Sequence, residues 1–285
     1  MEAPQSDALL TMRTFLRYVN SSDDTRIEML VFERAYVNDE EKRQTSGATC
    51  AVLAHAHPKL GATRDMMVGL ARALCDRDVT CAIVSARGTD GSAGTSSWRG
   101  SDEEAEDVKA CARELARVVG ARACHCVGYS FGATIVGNAI DRDDVMVSFI
   151  GVGYPRGSYS CGLMGVGAKM LMRDAFEALR RSAKPKLFIH PERDEFTSVE
   201  TMERLVREKM SSEVEGDGVG RVELKILRDV GHFSALTDAR AVDEMAAMIV
   251  EFIQSLTARD DDKNASASAG AGAGADEREG NENEN

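Results

Sequence analysis

The pentapeptide Gly128-Tyr129-Ser130-Phe131-Gly132 sets a serine between two glycines. It follows a short apolar run over 123–127 and precedes an apolar helical segment opening at Ala133. A serine in such a tight strand-to-helix turn is held in a strained backbone conformation, and its small neighbours let strand and helix approach closely. Its Oγ then projects at a helix N-terminus, whose partial positive charge favours a developing oxyanion. On its own a G-x-S-x-G is weak evidence, and the competing reading is an ordinary turn between a strand and a helix.

A serine hydroxyl needs a base to act as a nucleophile. Five histidines are available: His55, His57, His125, His190 and His232. His232 lies in Asp229-Val230-Gly231-His232-Phe233, just after the last apolar run, and is the expected base; its alternative is a surface-loop histidine. His125, between Cys124 and Cys126, looks metal-like, but consecutive strand residues point to opposite faces and cannot converge on one ion. Core packing is expected there, and a backbone-bonded buried imidazole is expected for His55. The base needs an acid to fix its tautomer. Pro191-Glu192-Arg193-Asp194-Glu195 follows a strand, and Asp194 is the choice, with Glu195, Glu192 and Asp229 as rivals. Along the chain the three occur in the order serine, then acid, then histidine, each just after an apolar run. Two backbone amides would bind the oxyanion: that of Phe131, next to the serine, and that of His57, in the loop His55-Ala56-His57-Pro58.

These residues need a frame. Apolar runs at Arg26–Arg34, 50–56, 80–85, 123–127, 144–152, 186–190 and Val222–Leu227 read as strands, and residues 64–76, 101–119 and about 169–181 read as helices between them. Residues 37–48 read as a polar connection, and Gly216 marks a short turn. Ser101 with Glu104, and Thr197 with Glu200, have capping-box spacing. Met245, Met248, Ile249, Phe252, Ile253 and Leu256 form a buried stripe on a final helix. The alternation predicts an α/β fold: a mostly parallel central sheet with helices on both faces and ligand site beyond the carboxyl ends of its strands. Residues 1–22 read as an N-terminal extension, 23–258 as the folded unit, and 259–285 as an unstructured low-complexity tail.

The chain resembles the α/β-hydrolase superfamily over about 26–256, and within it the small dienelactone-hydrolase-like serine hydrolases. The resemblance rests on His55-Ala56-His57-Pro58, the Ser130 pentapeptide, the loop Arg87-Gly88-Thr89-Asp90-Gly91-Ser92-Ala93-Gly94, the acid segment 194–199, and Asp229-Val230-Gly231-His232-Phe233. Ala56 departs from the proline or glycine usual in that group, which bears on the shape of the oxyanion loop. The resemblance implies an α/β-hydrolase fold and a metal-free, cofactor-free serine hydrolase using Ser130, Asp194 and His232. The short insertion between 153 and 186 implies a minimal cap, and the Arg87 loop is expected at the rim of the site, with Trp98 packing it. Xaa-Pro-peptidase-like relatives and a scaffold subunit of a histone-acetyltransferase complex belong to a related branch. Three readings therefore stand: an esterase or thioesterase acting on a small-molecule ester (class EC 3.1), an amide or peptide hydrolase with the same triad, and a non-catalytic interaction protein.

Composition narrows the field. The 285 residues carry 35 basic and 47 acidic side chains, a net charge of -12 that argues against nucleic-acid binding. Seven cysteines, an odd number lying mostly in apolar runs, read as reduced core thiols rather than a disulfide framework. No segment reads as a membrane span or a secretory signal. The cytoplasm is the expected compartment, with a nuclear share left open, and oligomeric state is not legible.

Overall fold

In a computed structural model of the chain, residues 12–34, 49–97, 100–156, 172–210 and 220–272 are described, the side chains only as far as residue 257 beyond the last helix start. Eight strands form one sheet in the order β1-β2-β4-β3-β5-β6-β7-β8. They are β1 (Met12–Asn20), β2 (Arg26–Arg34), β3 (Cys50–Ala54), β4 (Thr80–Val84), β5 (Cys124–Tyr129), β6 (Met146–Val152), β7 (Lys186–Pro191) and β8 (Val222–Leu227). From β4 through β3, β5, β6 and β7 to β8 every pair is parallel, while β1 and β2 join one edge antiparallel.

Strands this short and this apolar are buried on both faces, as crossover helices require. Along β3, Cys50, Val52 and Ala54 pack on one face and Ala51 and Leu53 on the other. The first face is covered by α2 (Asp102–Val119), α3 (Phe131–Ala139) and α4 (Arg173–Arg181). The second is covered by α1 (Val68–Cys75) and α6 (Ala239–Gly272), whose Met245, Ile249, Phe252 and Ile253 reach the sheet. A small helix, α5 (Val199–Leu205), follows the β7 loop. Helix α2 begins with the Ser101–Glu104 capping box. At α5 the expected cap moves by one residue: Ser198, not Thr197, accepts from the Thr201 amide. Thr197 is committed elsewhere, its hydroxyl taking the Arg156 amide and facing the Tyr154 carbonyl.

Two segments depart from the sequence reading. Residues 12–20, read only as extension, form β1, paired with β2 along its length through a turn in which Ser21 and Thr25 bond and Asp24 takes φ 60°. Helix α6 continues to Gly272, into the segment read as a tail. The polar connection at 37–48, the turn at Gly216, Trp98, most of the cap insertion (157–171) and Cys161 lie outside the described residues.

Candidate active site

Ser130 stands between β5 and α3 with φ 54° and ψ -122°, a conformation that L residues rarely adopt. Neighbouring structure enforces it. The Ser130 amide donates to the Val152 carbonyl of β6, 2.8 Å away, and its carbonyl accepts from Ala133 at 3.0 Å. Gly132 passes so close to the end of β3 that a Cβ there would stand 2.2 Å from the Ala54 carbonyl oxygen. The turn therefore holds only with glycine at 132.

The loops after β5, β7 and β8 bring Ser130, Asp194 and His232 together, although His232 lies 38 residues from Asp194 and 102 from Ser130 in the chain. Asp194 Oδ2 lies 2.6 Å from His232 Nδ1, and Ser130 Oγ lies 2.9 Å from Nε2. A carboxylate only accepts, so Nδ1 carries the proton and Nε2 is the acceptor facing the serine hydroxyl. The His232 and Asp194 side chains are 3% and 1% exposed. Burial pushes the Asp194 carboxyl upward, but the His232 hydrogen bond and the amides of Phe196 and Thr197, each 2.9 Å from Oδ1, outweigh it, and the group lies below its ordinary value. Asp194 is thus an anion held within a closed turn.

The rival carboxylates go elsewhere. Glu192 takes Arg228 and the Asp229 amide at the surface, and Asp229 pairs with Arg193. Glu195 does meet His232, at its backbone: Oε2 accepts from the His232 amide at 2.7 Å. The Tyr129 hydroxyl donates to the His232 carbonyl. Burial raises the Tyr129 phenol well above its ordinary value, which keeps it a donor. These contacts and the closeness of Gly153, where a Cβ would lie 3.1 Å from two atoms of the His232 ring, escaped the sequence reading. The Gly-Tyr-Ser pattern carries no sign of a phenol reaching across to another loop.

On the opposite side, His57 is buried and its ring is fully used. Nδ1 accepts from the Lys59 amide at 3.1 Å, so Nε2 donates to the Ser97 carbonyl at 2.9 Å. Burial first of all lowers its pKa, keeping it neutral. The ring packs 4.4 Å from that of Phe131, which places residue 57 of the β3 loop beside the residue that follows Ser130. His55 donates through Nδ1 to the Ala56 carbonyl and accepts the Ala86 amide at Nε2. His125 bonds Ser148 in the core. Among the described residues no group of three or more His, Cys, Asp or Glu could hold a metal ion, and no helix is long and apolar enough to cross a membrane.

Beside His232, Phe196 stands edge-on to the imidazole at 4.6 Å, and Phe233 lies 5.4 Å from Phe196 while 67% exposed. Ser97, through His57, shows that the later part of the Arg87 loop does reach the site. Its first residue does not: Arg87 is 7% exposed and points away, to Asp107 and Asp23.

No family model and no curated protein matches the chain. Solved structures do. An α/β serine hydrolase homologue from Coxiella burnetii aligns with a TM-score of 0.61 at 20% identity, covering 84% of this chain and 96% of that one. An esterase from Pyrococcus furiosus aligns with a TM-score of 0.62 at 15% identity, over 86% and 92%. A lidless α/β serine hydrolase from Xanthomonas campestris aligns with a TM-score of 0.56 at 16% identity, over 83% and 94%. At such identities the likeness concerns the fold, and the fold does not by itself define a reaction.

Proposed function

We propose that this chain, which has the α/β-hydrolase fold, is a serine hydrolase that cleaves a small carboxylic ester or thioester through an acyl-enzyme. The observation that carries the reading is the hydrogen-bonded series Asp194–His232–Ser130, at 2.6 and 2.9 Å, ending on a serine held at φ 54°. In this reading Ser130 Oγ attacks the substrate carbonyl carbon while His232 Nε2 takes its proton. The tetrahedral oxyanion is held by the backbone amides of Phe131 and His57; losing one such donor raises a barrier by about 3–4 kcal/mol. His232 then protonates the leaving alcohol or thiol, the acyl-serine forms, and water activated by the same histidine resolves it. Asp194 keeps the proton on Nδ1 and stabilises the imidazolium without taking the proton itself. The reaction asks for no cofactor beyond water. The aromatic rings of Phe196 and Phe233 beside His232 favour an uncharged substrate over an anionic one.

The test is intact-mass spectrometry after treatment with a fluorophosphonate probe. One adduct on wild type, absent from Ser130→Ala, supports the reading. No adduct on folded wild type would overturn it and turn the search to binding partners.

A further inference from the structure

We infer that Glu195 is a positioning residue for His232, acting through the histidine's peptide N–H, and that Gly231 is glycine to make room for its carboxylate. The inference rests on the serine-hydrolase reading above and adds to it a residue outside the triad.

Asp194 and Glu195 are consecutive, yet their side chains diverge to serve different parts of one residue. Asp194 takes the imidazole edge at Nδ1, and Glu195 Oε2 takes the main-chain amide at 2.7 Å. A carboxylate on an amide is a charge-assisted bond, stronger and shorter than a neutral one. From the other end of the same residue the buried Tyr129 hydroxyl holds the carbonyl. The ring, the N–H and the C=O of His232 are thus each tied to a different side chain. The loop's own bonds are weaker guarantees of position: the Gly231 amide meets Ser234 Oγ at 2.9 Å and the Ala235 amide meets the Gly231 carbonyl at 3.1 Å, both within a few residues and the first exposed to water. Removal of the Glu195 anchor leaves the Tyr129 hydroxyl on the carbonyl, Asp194 on the ring and the Arg193 amide on the Val230 carbonyl, with nothing on the His232 N–H itself among the described residues.

Gly231 supplies independent support. Its φ is not among the positive values, so an alanine is compatible with its backbone. A Cβ there would instead stand 2.7 Å from Glu195 Oε1 and 3.1 Å from both Cδ and Oε2. A Cβ at 231 would force the carboxylate, the far end of a flexible side chain, to shift. The same crowding means that a methyl group at 231 displaces the carboxylate from the amide it holds.

The experiment measures kcat and KM on p-nitrophenyl butyrate, and the rate of Ser130 labelling by a fluorophosphonate, for wild type, Glu195→Ala, Glu195→Gln, Gly231→Ala and the Glu195→Ala/Gly231→Ala pair, with folding checked by circular dichroism. Since a base misplaced by about 1 Å loses on the order of 100-fold in rate, Glu195→Ala is expected to lower kcat and the labelling rate by roughly 10- to 100-fold with KM within about twofold. Glu195→Gln recovers most of that loss, because its carboxamide oxygen accepts from the same N–H. Gly231→Ala loses a similar amount alone but less than about twofold more in the Glu195→Ala background, the non-additivity of residues that share one contact. Equal losses for Ala and Gln, full activity in Glu195→Ala, or multiplicative losses in the pair would overturn the inference while Ser130 labelling of wild type still stood. Should Glu195→Ala not fold, Gly231→Ala and Glu195→Gln decide the question by the same criteria. An unlabelled wild type removes the hydrolase reading, and this inference with it.

Discussion

Two polar clusters, one gathered by Arg87 at the start of the loop after β4 and one formed by the loops after β5, β7 and β8, are built differently. Under the β1–β2 edge, Arg87 gives Nε and Nη2 to the two oxygens of Asp107, each at 2.7 Å, and gives Nη1 and Nη2 to Asp23 at 2.7 and 3.1 Å. Next to it Glu28 takes Arg64 and, at 2.7 Å, the Tyr18 hydroxyl. In that cluster charge meets opposite charge. The Asp107 hydrogen bond first, and that of Asp23 after it, raise the Arg87 guanidinium further, while Arg87 holds Asp23 well below the ordinary carboxylate range. The cluster around His232 has two carboxylates and no described guanidinium or ammonium bonded to them: Asp194 and Glu195 are satisfied by a ring nitrogen and by amides. A closed set of ion pairs fixes a loop. A set in which one carboxylate holds an imidazole that in turn faces a hydroxyl suits proton transfer in the proposed reaction, because the imidazolium that forms is paired with that carboxylate.

Each cluster is open to a perturbation that leaves the other intact. Ser130→Ala is expected to have the largest effect, a loss of about 10⁶-fold in kcat on an activated ester, with an unchanged thermal midpoint, read by steady-state assay and calorimetry. Asp194→Asn follows at about 10⁴-fold, because the carboxamide favours the wrong imidazole tautomer; a loss below about tenfold would point to a different acid. At the other cluster, Arg87→Ala leaves buried Asp107 unpaired and should destabilise the fold by about 3–5 kcal/mol in urea unfolding, while the folded fraction retains its Ser130 labelling rate. If Arg87→Ala abolished labelling without lowering stability, the contrast between the clusters would collapse.

A smaller effect concerns pH. Burial alone pushes His125 from 6.5 down to about 4 in the folded chain. The unfolded chain therefore takes up the proton first as pH falls. The stability contributed by the neutral ring is complete above the unfolded value of 6.5 and is lost progressively as pH falls towards 4. The difference corresponds to about 3 kcal/mol. Burial lowers His55, His57 and His190 in the same direction, so the slopes add. Thermal midpoints between pH 7 and pH 4 should fall steeply for wild type and less steeply for His125→Gln; parallel curves would exclude His125 as a contributor.

The parts of the fold legible in the sequence were those with strong local patterning. Five-residue apolar runs such as Cys-Ala-Val-Leu-Ala leave little choice but a buried strand, and Ser101 three residues before Glu104 marks a helix start. Strand β1 escaped because it is an edge: its residues alternate between half-buried and exposed, so Leu16 and Tyr18 remain outside and no apolar run forms. The cap at α5 went to Ser198 because Thr197 has a tertiary partner in the loop after β6, which local spacing cannot register. The burial of Arg87 depends on Asp107, 20 residues on, and Asp23, 64 residues back, partners too distant for local spacing to register.

What the sequence by itself determined was an order and a set of candidates: a serine in a strand-to-helix turn, carboxylates after a later strand, and a histidine after the last. Periodicity and turn chemistry act over a few residues, and they suffice for that. Tertiary structure alone decided which of Glu192, Asp194, Glu195 and Asp229 would face the imidazole, and that its neighbour would take the peptide N–H instead. That choice is set by how the β7 loop packs against the β8 loop, between segments 38 residues apart. Short-range pattern carries no information at that scale, because adjacent acids in one loop are chemically alike until a second loop is placed against them.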